Sequence, residues 1–98
     1  MGKFQDLIQQ RDVVLIDFFA TWCGPCQMMS PILEDVKKSF QDQLTILKID
    51  VDKNPKVASI YQVRGVPTFV LFQKGKLFWR QSGMLSKRDF MEVLNKHL

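Results

Sequence analysis

Cys23 and Cys26 are the chain's two cysteines, and Gly24 and Pro25 separate them. Thiols at this spacing, where a helix is about to begin, are suited to one chemistry above others. Amide N–H groups and peptide dipoles at a helix start favour negative charge, so Cys23 is expected to be rich in thiolate near neutral pH, and thiolate is the attacking species. Cys26 falls one turn on and is expected to point inward, close enough to close a small disulfide ring but shielded from outside groups. Cys23, at an exposed tip, is therefore the expected nucleophile and Cys26 the resolving thiol of a thiol–disulfide exchange cycle. Half of a zinc site would require a second pair of ligands, and His97 is the chain's one histidine. A structural staple is disfavoured too, because so short a loop restrains the unfolded chain little.

Two further residues bear on this pair. Asp17 interrupts an apolar run six positions before Cys23. A buried carboxylate is costly unless neutralised or hydrogen-bonded, and burial raises its pKa. Facing the underside of the helix start, Asp17 would take the proton of Cys26 as that thiol attacks, directly or through a water. The alternative is a structural acid paired with Lys48. Pro67 is unusual at the start of a strand, where it removes a ladder donor. A cis bond before it would leave the Val66 backbone free to pair with an extended substrate, although spacing alone does not establish one.

These residues need elements to hold them. Phe4, Leu7, Ile8 and Arg11 recur at helical spacing, so residues 3–10 read as a short amphipathic helix. Residues 13–19 are a β-branched and aromatic run of strand length, buried on both faces. From Cys26 the stripe Met28, Met29, Ile32, Leu33, Val36 and Phe40 marks a helix, with Pro25 in its first turn and Pro31 expected to kink it. Residues 44–50 form a second strand, parallel to the first through a right-handed crossover. Asp52, Asn54 and Pro55 start a short helix running through Tyr61, and residues 66–72 form a third strand. Lys74-Gly75 signals a hairpin into residues 76–82, antiparallel to the third strand. Ser86 caps a last helix with Phe90, Val93, Leu94 and His97 or Leu98 inward. The pattern is α/β: one small mixed sheet with helices on both faces.

Composition sets the outer limits. Ninety-eight residues predict one domain, and 46% hydrophobic with 24% charged residues excludes collagen-like and disordered classes. The apolar runs are far shorter than the roughly 18 residues of a membrane-spanning helix. The net charge of +4 comes from scattered lysines and arginines, which reads as a solvated surface and not as a nucleic-acid site. Residues 1–10 show no secretory h-region, so cytoplasm is the expected compartment, or periplasm if a leader has been trimmed.

The string Trp22-Cys23-Gly24-Pro25-Cys26, preceded by Asp17-Phe18 and followed by Arg64-Gly65-Val66-Pro67-Thr68, strongly resembles the thioredoxin family. Leu47-Lys48-Ile49-Asp50, Asp52-Lys53-Asn54-Pro55, Lys74-Gly75 and Gly83-Met84-Leu85-Ser86 fall in register with it, so the resemblance covers nearly the whole chain. It implies a thioredoxin-like fold and reduction of protein disulfides, with Cys23 as nucleophile, Cys26 as resolving thiol, Asp17 as the buried acid, Lys48 as its neighbour and Pro67 as a cis-proline. It also implies a substrate surface at Trp22, Gly24, Pro25, Gly65, Val66, Pro67, Gly83 and Met84. Gly24-Pro25, with no His beside Cys26, is similar to the reducing members. Their electrons usually come from an NADPH-dependent flavoprotein reductase, and no cofactor is expected on the chain itself. A redox-gated protein-binding module is the alternative function.

The sequence departs from the family in three places. Phe19 stands where a second Trp is common, and Gln27 where Lys or Arg is common, which removes a small, solvent-screened stabilisation of the Cys23 thiolate. Only about ten residues precede the first strand, so the strand with which the family opens is expected to be missing. That leaves a four-stranded sheet with residues 44–50 as an open edge, and a monomer or weak dimer through that edge.

Overall fold

Val13–Phe19 forms strand β1, and its six leading residues are buried. This follows from its composition, because a run without polar alternation must be covered on both sides. The computed structural model describes residues 2–10 and 12–98. Its other strands are β2 (Thr45–Asp50), β3 (Thr68–Gln73) and β4 (Lys76–Ser82), and its helices are α1 (Gly2–Gln10), α2 (Gly24–Phe40), α3 (Pro55–Ile60) and α4 (Lys87–Asn95). Arg11, read as continuing the helical spacing of Phe4, Leu7 and Ile8, lies outside the described residues.

The sheet has four strands in the order β2-β1-β3-β4, with β1 parallel to β2 and antiparallel to β3, and β4 antiparallel to β3. Successive strand side chains alternate faces. Val13 and Leu15 accordingly pack with Met29, Leu33, Val36 and Phe40 of α2 and Phe90 and Leu94 of α4. Val14, Ile16 and Phe18 pack on the opposite face with Ile8 of α1 and Val57 of α3. Asp17 shares the parity of Val13 and Leu15, which puts a carboxylate in the row beneath α2.

Several boundaries differ from expectation for local reasons. Residues Gln41–Gln43 form a 3₁₀ turn whose last bond uses the Leu44 amide, so β2 starts at Thr45. Pro67 has no amide to give, and the β3 ladder begins at Thr68, opposite Phe18. α3 ends at Ile60, with Tyr61 as its C-cap. Asn54 stands at the N-cap of α3, but its side-chain amide donates back to Asp50 O at 3.0 Å and caps nothing in the helix. α2 runs on past Pro31 to Phe40.

The hairpin forms at Lys74 and Gly75, with φ of 51° and 83°. Both lie in the left-handed region that a tight two-residue turn requires. The Ser86 hydroxyl accepts from the Asp89 amide and caps α4, as expected. Among the described residues β2 has one neighbour, β1, and is the open edge the sequence predicts.

Candidate active site

β1 delivers the chain to the site and α2 takes it away. Cys23 is the N-cap of α2, in extended conformation, and its Sγ accepts a hydrogen bond from the Cys26 amide at 3.1 Å. An N-cap side chain that accepts from an orphan amide of the first turn is usually Ser, Thr, Asp or Asn. Here a sulfur does it, so the amide and the helix dipole both act on the first sulfur of the pair. Pro25 sits in the first turn, where no helical amide is required. Cys23 and Cys26 are joined as a disulfide with a Cα–Cα distance of 5.2 Å.

Neither sulfur is at an exposed tip. Cys23 is 4% exposed and Cys26 6%, so the expected contrast between an open nucleophile and a shielded partner is absent in the oxidised state. The reason is packing: the two cysteines and Ala20 form a small cluster with Phe19, Val51 and Val66 against it. Gly24 and Pro25, between them, are exposed.

A second segment closes over the pair. The Val66–Pro67 peptide bond is cis, and Val66 O lies 3.8 Å from Cys23 Sγ. This segment is held from both ends. Thr68 Oγ1 donates to Gly65 O at 2.7 Å, and the Gly83 amide donates to Pro67 O at 2.8 Å. Gly83 has φ of 95°, a conformation that suits glycine. Met84, beside it, is 45% exposed, and Trp22 is 71% exposed. Gly65 is also exposed, whereas Pro67 is buried. Trp22, Val51, Val63, Arg64, Gly65 and Val66 line a cleft of about 120 Å³.

Asp17 is buried beneath α2, and its Oδ1 has no hydrogen-bond partner among the described residues. Burial pushes its carboxyl up from 3.8 to about 6, partly opposed by the positive charge of Lys48. Lys48 is its register partner on β2, yet the ion pair of the alternative reading does not form between them. Among the described residues the ion pair within 4.0 Å is Arg88 with Glu92, on the surface of α4. The Lys48 ammonium instead donates to Ser30 Oγ on α2 at 3.3 Å. A cavity of about 330 Å³ lined by Asp17, Thr21, Cys26, Gln27, Ser30 and Lys48 brings the carboxylate and the second cysteine to one space.

Two contributors were not singled out from the sequence. Ser30 lies on the polar side of a helical stripe and carries no motif. Asp52, read as a helix-start residue, accepts from Trp22 Nε1 at 2.9 Å. Asp50, beside it, accepts from the amides of Asp52 and Lys53 at 2.9 and 3.3 Å, which fixes the turn that presents Asp52.

A disulfide one turn long, at the head of a helix that leaves a buried central strand, defines a redox-active α/β protein. The thioredoxin family model matches residues 1–96. The chain is 46% identical over 98 residues to thioredoxin Y2, chloroplastic, of Arabidopsis thaliana, covering 99% of this chain and 59% of that protein. It is 44% identical over 89 residues to a thioredoxin of Staphylococcus aureus, covering 91% of this chain and 86% of that one. The structure superposes on a mutant thioredoxin from Halobacterium salinarum NRC-1 with a TM-score of 0.91 at 39% identity, over 99% of this chain and 84% of that one. The chain belongs to the thioredoxin family. The family's members are disulfide oxidoreductases, and the Cys23–Cys26 disulfide of this chain fits that activity. Among the described residues no helix is long and apolar enough to cross a membrane.

Proposed function

We propose that the protein reduces disulfides of other proteins by a two-thiol cycle. The observation that carries this is the Cys26 amide aimed at Cys23 Sγ at the start of α2. Cys23 thiolate attacks one sulfur of a target disulfide; a bond forms to that sulfur, the target S–S bond breaks, and one target thiolate leaves. Cys26 then gives its proton to the Asp17 carboxylate and attacks the Cys23 sulfur. The Cys23–Cys26 bond forms, the mixed disulfide breaks, and the second target thiolate leaves. Two electrons pass from the protein to the target. Asp17 suits the middle step because it is buried, unpartnered at Oδ1 and shares a cavity with Cys26.

Trp22, Gly65, Val66, Gly83 and Met84 form the surface on which a target lies, with Gly24, Pro25 and Pro67 completing its floor. The exposed indole and thioether support this, because large apolar groups beside a reactive pair provide contact area for many partners. Electrons return from an NADPH-dependent flavoprotein reductase docking on the same surface. The reducing direction favours the cytoplasm over the periplasm as its compartment, and the open edge of β2 supports a monomer or weak dimer.

The test is a pair of serine variants. Cys23→Ser is expected to abolish turnover, and Cys26→Ser to accumulate mixed disulfides with protein targets. Full multiple-turnover reduction by Cys26→Ser would rule out the two-thiol cycle. A parent protein that binds partners in a redox-dependent way but never turns over would instead be a binding module.

A further inference from the structure

Ser30 sits one turn after Cys26 on α2 and is half-buried. Its hydroxyl takes the ammonium of Lys48 at 3.3 Å, from across the gap between α2 and β2. Lys48 is the residue directly opposite Asp17 in the β1–β2 register. A lysine so placed has an unpartnered, buried carboxylate oxygen available to it, and charge-assisted pairing at such a site is strong. The ammonium nevertheless lies outside ion-pair distance of that oxygen. Ser30 and Lys48 also line two cavities at once: the one shared by Asp17 and Cys26, and a neighbouring one of about 440 Å³ bounded by Leu33, Glu34, Lys37 and Ile46. Their bond is therefore the feature common to both spaces.

We propose that Ser30 is a positioning residue for the resolving step: its hydroxyl holds the Lys48 ammonium off Asp17, which leaves Asp17 a free base in the cavity it shares with Cys26. An Asp17 paired with Lys48 would have to surrender that pair before accepting a proton. An Asp17 left unpaired feels the lysine only at a distance and keeps the raised proton affinity that burial confers.

The other groups facing Asp17 do not substitute for this control. On the same face of β2, Asp50 is engaged by the amides of Asp52 and Lys53. From β3, opposite Asp17, comes uncharged Phe69. From α2 come Cys26 and Ser30, with Glu34 one turn farther along, lining the second cavity. The inference rests on the reading of Asp17 as the proton acceptor.

The experiment follows the Asp17 carboxyl carbon by NMR through a pH titration of the full, oxidised chain, in which neither thiol titrates. Ser30→Ala frees the ammonium to reach Asp17, and the midpoint is expected to fall by about one pH unit. Ser30→Thr keeps the hydroxyl and is expected to hold the parent midpoint. In a Lys48→Met background Ser30→Ala is expected to move nothing. An unchanged midpoint in Ser30→Ala, or an equal fall without the lysine, overturns the proposal. In single-turnover release of the second target thiol, the pH profile of Ser30→Ala is expected to move the same way. An Asp17→Asn profile identical to the parent's would overturn the proton-acceptor reading itself, a result separable from the NMR one because the oxidised titration involves no thiol.

Discussion

The indole Nε1–H of Trp22 donates to Asp52 Oδ2 at 2.9 Å across thirty positions of sequence, and both residues are exposed. The bond ties the most exposed large apolar side chain of the proposed surface to the turn after β2. It orders that side chain before a partner arrives, which lowers the entropy lost on docking. Asp52→Ala is expected to lower kcat/KM for a protein disulfide about 5-fold, in line with the roughly 1 kcal/mol of one such hydrogen bond. Reduction of a small aromatic disulfide is expected to change little. Equal losses on both substrates would show that Asp52 acts on the redox pair and not on the surface.

Cys23 in the reduced protein is expected to react with iodoacetamide well below the pH at which free cysteine does, because the Cys26 amide points at its sulfur. Cys26 is expected to stay unmodified under the same conditions. A Cys23 rate profile that overlays that of free cysteine would mean the helix start confers no activation.

Asp17 gives stability a pH dependence of definite sign. Its carboxyl sits at about 6 in the folded chain against 3.8 for an unperturbed group. Below about pH 4 both states hold the proton; between about pH 4 and 6 the folded state holds one the unfolded state has lost, so stability falls as pH rises. Above about 6 the whole cost is present, at most about 3 kcal/mol for the gap between those values. Asp17→Asn is expected to gain on the parent by up to this amount between acid and about pH 8, read as diverging denaturation midpoints. A parent-to-variant difference that stays constant across the range would contradict the assignment.

The open edge predicts a concentration dependence. Alternate amides of Thr45–Asp50 point away from β1 and have no ladder partner among the described residues. They are expected to exchange quickly at low concentration and to gain protection as sedimentation reveals a dimer. Rapid exchange with a clean monomer at high concentration would show the edge stays bare.

Much of this was legible in the sequence because local signals and tertiary needs agree. The run Val13–Phe19 is too apolar for a one-sided strand, Lys74-Gly75 suits a left-handed turn, and Ser86 stands before an amphipathic stretch; each became the element expected. The cysteine spacing likewise put the two thiols at a helix start, where they form a disulfide. What the sequence could not convey were choices among partners. Lys48 can reach either Asp17 or Ser30, and only the gap between α2 and β2 decides. Trp22 finds Asp52 through a turn set by Asp50. The exposure of Cys23 depends on Val66, a residue brought in from the distant segment that precedes β3.

That last dependence reaches beyond the finished molecule. Val66 stands 43 positions from Cys23, and its segment is pinned by Gly83, later still. A ribosome-bound fragment ending before Gly83 would carry both cysteines without the bond that pins Pro67 beside them. The frame around the redox pair is therefore complete only once the chain has been made as far as Gly83, which lies 60 positions after Cys23.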